Sequence, residues 1–339
     1  MNTTIVAFFN NKGGVGKTSL VYHLAWMYKD LGLRVVAADL DPQANLTAAF
    51  LDEDRLEKLW PDGNHHPNTV FGCVQPLIRA IGDIADPHLE YVEDQLSLFP
   101  VELALLVGDL SLSGFEDQLS EVWPKCMDSD ERAFRVISAF WRIMQNTADR
   151  HKADVILMDL GPNLGAINRA ALIAADYVVV PLSPDLFSLQ GLRNLGPTLR
   201  RWRKNWQDRL TQNPADDLEL PKGGMQPIGY VVLQHSARFD RPVKAYKRWI
   251  AKIPGVYRDA VLDESGDNNI SVADDPHCLA LLKNYQSLMP MAQEARKPIF
   301  YLKPADGAIG AHSSAVKKVY SDFASLAKAI ASRIDVKIP

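Results

Sequence analysis

Ten residues near the start of the chain, Asn10-Asn11-Lys12-Gly13-Gly14-Val15-Gly16-Lys17-Thr18-Ser19, constrain the fold more than any other segment. They follow an apolar run, Thr4–Phe9. They precede Ser19–Leu31, where Leu20, Leu24, Met27 and Leu31 recur at helical spacing before Gly32 stops the pattern. A glycine-rich turn between a buried strand and an amphipathic helix can turn several backbone N–H groups inward, because glycine tolerates positive φ and close approach. The helix adds the positive end of its dipole near Lys17. Such a turn suits a triphosphate. Lys17 would reach the β- and γ-phosphates and the Thr18 hydroxyl would face Mg2+, with Gly13, Gly14, Val15, Gly16 and Ser19 completing the cradle. The usual phosphate loop has glycine at position 11; here Asn11, which tolerates the left-handed region best after glycine, keeps the turn.

Short β-branched runs alternate with helical patterns along the rest of the chain, which predicts a mostly parallel sheet flanked by helices. Strands are expected at Thr4–Phe9, Arg34–Asp39, Leu96–Pro100, Asp154–Asp159, Tyr177–Leu182 and Ile228–Leu233. A last helix is expected at Val316–Ile334, with Val316, Val319, Tyr320, Phe323, Leu326, Ile330 and Ile334 on its core face. The 339 residues read as a single α/β domain, 1–339, with insertions near 52–150 and 205–226 and a divergent 240–290 segment. Lys and Arg number 37 against 41 Asp and Glu, so the net charge of −4 excludes a globally basic nucleic-acid binder while leaving room for a local basic face. Three scattered cysteines suggest neither a disulfide framework nor a zinc site, and the adjacent His65 and His66 lack carboxylate support, so they read as bare loop. No apolar run reaches the roughly 18 residues that span a bilayer. The expected setting is the cytoplasm.

Lys12-Gly13-Gly14-x-Gly16-Lys17-Thr18 resembles the deviant Walker A motif of the ParA/MinD family of P-loop ATPases. The resemblance implies a SIMIBI-type P-loop NTPase fold, a three-layer sandwich that binds ATP and Mg2+ and forms a homodimer on ATP binding. Lys12 would then reach the partner's nucleotide and act in catalysis with Lys17 and Asp41. Asp39-Leu40-Asp41-Pro42-Gln43-Ala44-Asn45 is similar to the family's DxDPQxN switch, which makes Asp41 the residue orienting the attacking water, puts Asp39 near the magnesium shell and Gln43 at the nucleotide. Val155–Asp159 has the shape of a Walker B strand, with Asp159 holding a magnesium-bound water. Gly161 replaces the first proline of the family's Asp-x-Pro-Pro and is expected to loosen this switch. Gly229–Arg238 resembles the strand and loop nearest the adenine, with Gln234 the candidate base contact, and Lys297-Pro298-Ile299 resembles a closing segment of the family.

ParA-type proteins bind DNA non-specifically as the ATP dimer and are released by a partner protein that stimulates hydrolysis. Residues 192–209 carry Arg193, Arg200, Arg201, Arg203, Lys204 and Arg209 against Asp208, with Trp202 and Trp206 among them. Residues 238–258 carry Arg238, Arg241, Lys244, Lys247, Arg248, Lys252 and Arg258 against Asp240. Phosphate neutralisation is additive, so these stretches are candidate DNA contacts and imply a nucleoid-associated protein. Alternatives are a switch read by a protein partner in a signalling or phage-defence complex, or a MinD-like membrane switch. The short tail Ile334–Pro339 has little net charge and argues against a stable membrane anchor.

Overall fold

Strand β1, Thr4–Phe8, is apolar after its first residue because helices cover both of its faces. The computed structural model describes residues 2–63, 65–92, 102–233, 248–265, 270–285 and 287–339. Among them β1 is joined by β2 (Val35–Asp39), β3 (Glu90–Tyr91), β4 (Leu103–Leu106), β5 (Val155–Asp159), β6 (Tyr177–Leu182), β7 (Gln226–Leu233) and β8 (Cys278–Leu282). The order is β3-β4-β2-β5-β1-β6-β7-β8, parallel throughout except for β3, which pairs antiparallel with β4. The sheet is the mostly parallel α/β architecture expected from the sequence.

Alternation along the strands separates two hydrophobic layers. Ile5, Ala7 and Phe9 pack with helices α4 (Val70–Ile78), α5 (Glu116–Lys125), α6 (Glu131–Ile137), α7 (Ala139–His151), α8 (Ala166–Ala174) and α9 (Leu186–Leu210). Val6 and Phe8 pack on the other face with α1 (Lys17–Asp30), α2 (Asn45–Phe50), α3 (Glu53–Leu59) and the C-terminal helix Ala311–Arg333. Each of the Ile, Val and Phe side chains among them, removed wholly from water, contributes about 1.5–3 kcal/mol.

Three strands depart from the expectation. Residues 96–100 lie outside the described residues, and the strand in this part of the chain is β4, whose Leu-Ala-Leu-Leu sequence suits a helix as well as a strand. Strand β8, Cys-Leu-Ala-Leu-Leu, escaped notice for the same reason, and β3 is only two residues long. The stretch 52–150 supplies β3, β4 and helices α3 to α7, and β4 pairs directly with β2, so much of it is built into the sheet. The C-terminal helix begins five residues before the expected Val316. Among the described residues no helix is long and apolar enough to cross a membrane.

His23 ties the first helix to the C-terminal segment. Its Nδ1 lies 2.6 Å from the Ser19 carbonyl, its Nε2 accepts from the Ile299 N–H at 3.2 Å, and its ring stacks on Phe323 with centroids 5.0 Å apart. One nitrogen donates and the other accepts, so the ring is neutral, and burial pushes its pKa down to about 4. The unfolded chain, with a value near 6.5, takes up this proton first. His23 therefore contributes stability that is present above about pH 6.5 and is lost as pH falls towards 4, on the order of 3 kcal/mol in all. Urea denaturation of wild type and His23→Gln at pH 7 and pH 4.5 checks this: the gap between the two pH values should shrink in the variant.

Candidate active site

Strand register brings two carboxylates side by side at the C-terminal edge of the sheet. Asp159 at the end of β5 stands opposite Asp39 at the end of β2, and on its other side opposite Phe8, from which the chain enters the glycine loop. Gly14 (φ 70°) and Gly16 (φ 89°) adopt the left-handed conformation that turns this loop into α1, and a Cβ on Gly14 would meet nothing within 4 Å. Asn10 anchors the loop base: its Nδ2 donates to the Pro181 carbonyl at 2.7 Å and its Oδ1 accepts from the Lys12 N–H at 3.0 Å. Lys17 points back into the loop, donating to the Lys12 carbonyl at 3.3 Å. Burial lowers its pKa, while the charges of Asp159 and Asp41 oppose that shift.

The loop opens on a cavity of about 660 Å³ lined by Gly13, Lys17, Thr18, Asp41, Gln43 and Arg296, among others. A second cavity of about 280 Å³ shares Gly16, Ser19 and His23 with it and extends to Tyr285 and Phe323. The first has room for a phosphate chain at the glycine loop, and the second offers aromatic walls beside it. Val15 is fully buried, so its side chain anchors the loop.

The carboxylates have distinct environments. Both oxygens of Asp159 are buried without a well-formed hydrogen bond, and burial, reinforced by the neighbouring Asp39, outweighs the Thr18 hydroxyl beside it and pushes its pKa up to about 8. A desolvated, unsatisfied carboxylate beside a hydroxyl and an open phosphate loop fits a magnesium site, which needs only one or two protein oxygens together with phosphates and waters. Among the described residues no group of three or more His, Cys, Asp or Glu forms a site made of protein ligands alone. Asp39 differs. Its Oδ2 accepts from both the N–H and the hydroxyl of Thr47, each at 2.8 Å, and its Oδ1 from the Asp41 N–H at 3.3 Å. Burial raises its pKa to about 7. Its hydrogen bonds thus describe an anchor for α2 and the switch segment rather than a free metal ligand. Asp41 is 7% exposed and accepts from the Gln43 N–H at 3.0 Å. Gly161, expected to loosen the following switch, instead lets Asp41 approach: a Cβ there would lie 3.1 Å from Asp41 Oδ1.

Lys12 is not extended into solvent. Its ammonium is paired with Asp185, whose other oxygen accepts from the Ser188 N–H at 2.9 Å and so caps α9. Leu186 and Phe187, immediately after it, are 47% and 67% exposed.

The basic stretch on α9 is divided. Arg200 donates to the carbonyls of Ala260 and Val261, Arg203 to those of Gly224 and Met225, and Arg209 to those of Trp123 and Asn205. Trp202 and Trp206 are buried in the core. Arg193, Arg201 and Lys204 are exposed, as is Arg248. Gln234, Arg238, Arg241, Lys244 and Lys247 lie outside the described residues.

Several participants were not singled out in the sequence. Arg296 and Gln293 line the larger cavity, and Arg296 is held by the Leu51 carbonyl at 2.7 Å. Their nearness depends on a fold-back across more than two hundred residues, for which no local pattern exists. His66 is no bare loop residue either. It is buried, with Nδ1 2.7 Å from Asp109 Oδ2 and Nε2 3.1 Å from the Pro61 carbonyl. The supporting carboxylate was simply 43 residues away.

The sheet and the glycine loop at its C-terminal edge define a P-loop nucleotide-binding protein. Residues 3–212 match the family described as AAA domain, AAA_31, and the chain belongs to that family, within its ParA/MinD type of ATPases. It is 32% identical over 209 residues to Protein IncC of Escherichia coli, a match covering 60% of this chain and 47% of that one. It is 28% identical over 209 residues to the chromosome partitioning protein ParA of Caulobacter vibrioides, covering 61% and 66%. The match to IncC thus spans about half of that relative's length. The solved structure of protein DIP2308 from Corynebacterium diphtheriae shares the fold with a TM-score of 0.69, 23% identity and coverage of 98% and 99%.

Thr47 is the residue on which the switch anchor depends, since its hydroxyl donates to Asp39 and accepts from the Gly108 N–H at 2.8 Å. Thr47→Val removes both bonds and leaves buried polar groups unpaired, so it should cost about 1–3 kcal/mol by chemical denaturation, whereas Thr47→Ser should stay close to wild type.

Proposed function

We propose that this chain is a Mg-ATP-dependent ATPase switch of the ParA type that dimerises on ATP and partitions or positions a cargo. The observation that carries the reading is the convergence of buried Lys17, Thr18 and Asp41 on one cavity of about 660 Å³, with the buried Asp159 carboxyl beside Lys17 and Thr18. Lys17 and the backbone N–H groups of residues 13–19 would hold the phosphates, and Thr18 and Asp159 would hold magnesium, Asp159 through a water. When bound, the ion supplies charge neutralisation at the β- and γ-phosphates. Asp41 orients the attacking water, its carboxylate kept in place by the Gln43 N–H and packed against Gly161. Asp39 acts through Thr47, positioning the segment that carries Asp41. The aromatic-walled cavity beside Ser19 is suited to the nucleobase.

Dimerisation is supported by Lys12, whose charge is satisfied within the chain by a single carboxylate at the rim, and by the exposed Leu186 and Phe187 beside it. DNA binding rests on the exposed Arg193, Arg201, Lys204 and Arg248. A protein-partner switch is the second reading, favoured by the use of Arg200, Arg203 and Arg209 as internal donors, which thins the basic face.

Lys17→Ala should abolish ATP binding, whereas Asp41→Ala should retain ATP and accumulate as a dimer. Size-exclusion with light scattering on Asp41→Ala, with ATP or ADP and with duplex DNA at low and moderate salt, tests the reading. An ATP-dependent dimer that co-elutes with DNA and is released by salt supports the partitioning or positioning switch. A dimer that ignores DNA favours the protein partner, and a monomer in ATP overturns the switch.

A further inference from the structure

The loop that follows Asp159 is held by a helix from outside the nucleotide-binding motifs. Glu116, the first residue of α5, places both carboxylate oxygens on the start of α8: Oε1 accepts from the Ala166 N–H at 2.5 Å and Oε2 from the Ile167 N–H at 2.8 Å. The cap residue of α8, Gly165, has no side chain with which to do this, and its Cβ would fall 2.6 Å from Glu116 Oε1. A carboxylate on the free N–H groups of a helix start makes charge-assisted bonds and complements the dipole. Two further contacts fasten α5 to α8: Arg169 donates to the Leu119 carbonyl at 3.2 Å and lies over the Trp123 ring. From α8, Asn168 Nδ2 reaches back to the carbonyls of Gly161 and Asn163 at 2.9 and 2.6 Å. Gly161 packs on Asp41, and Pro162 lies against Gly13.

We propose that Glu116 is a positioning residue for ATP hydrolysis: by capping α8 it sets the loop 160–165 against Asp41 and the glycine loop. The proposal rests on the ATPase reading above. It follows from the contacts because Glu116 touches neither cavity, yet α8, which it caps, holds the Gly161 and Asn163 carbonyls through Asn168, and Gly161 packs on Asp41. Displacing the loop by a fraction of an ångström would leave phosphate binding by Lys17 and residues 13–19 intact while misplacing the group that orients water.

Glu116→Ala should lower kcat by about ten- to a hundredfold and change KM for ATP by less than about threefold. Glu116→Gln, which keeps one acceptor oxygen, should fall between it and wild type. Gly165→Ala leaves Glu116 in the chain and, at φ −80°, strains no backbone, but its methyl displaces the carboxylate; it should reproduce Glu116→Ala, and the double variant should be no worse than either single one. Hydrogen exchange at the amides of Ala166 and Ile167 should rise in both variants. Thermal unfolding accompanies the kinetics. A lowered Tm with kcat within twofold of wild type would reduce Glu116 to a stabilising cap and overturn the proposal. A wild type that binds but never hydrolyses ATP would overturn the ATPase reading itself, and the exchange data would then still report whether the cap exists.

Discussion

The structure depends on the placement of carboxylates where water has been removed. Asp39 and Asp159 stand in register on adjacent parallel strands, both fully buried, and burial raises the pKa of each. Two desolvated acids side by side are tolerated only if donors or cations meet them. The chain meets one of them itself, through Thr47 and the Asp41 amide, and leaves the other open with Lys17 nearby. The fold thus holds a desolvated carboxyl beneath a glycine loop. The same sheet edge that creates this strain also creates the place where a cation and a polyphosphate relieve it.

A short segment after β4 gathers the surrounding parts. Gly108 donates to Thr47 and accepts from Trp60 Nε1 at 3.1 Å, and a Cβ on it would lie 2.7 Å from Asp39 Cγ. Asp109 accepts from Thr69 and the Ser111 amide and meets His66. Seven residues later Glu116 caps α8. The segment 108–116 therefore touches the switch that carries Asp41, the region 60–69 and the start of α8 within nine residues. Within residues 52–150, loosely matched to the family pattern in the sequence, Trp60, His66 and Thr69 are tied to this segment through these bonds.

Much of this was legible because its signals are local. The glycine loop, the DxDPQxN segment and the apolar strand ending in Asp159 each carry their chemistry within about ten residues, and the structure brings Lys17, Thr18, Asp41 and Asp159 to one place. What was hidden is of two kinds. Strands β4 and β8 are written in leucine and alanine, residues without strand preference, and acquire their conformation from their neighbours in the sheet. Long-range pairs such as Glu116 with α8, His66 with Asp109 and Arg296 with the Leu51 carbonyl have no periodicity to announce them. The basic run on α9 misled in the opposite direction. Charge counted along a sequence does not distinguish a guanidinium facing solvent from one, such as Arg200 or Arg203, that is engaged by backbone carbonyls of its own chain.

Lys12 shows how a charge can be held ready at modest cost. Paired with Asp185, it is one-quarter exposed, and its partner already serves as the cap of α9. Water still reaches the lysine side of this pair and screens part of its attraction. A polyphosphate in a desolvated interface offers the ammonium more negative charge than one carboxylate, so exchanging Asp185 for phosphate would be favourable once the site is closed to water. Asp185 would still cap α9 after the exchange, through its bond to Ser188, so the helix that presents Leu186 and Phe187 need not unravel when the lysine leaves. In the proposed dimer the two oxygens of one carboxylate would carry separate duties, so that Lys12 could change partners without disturbing the apolar surface beside it.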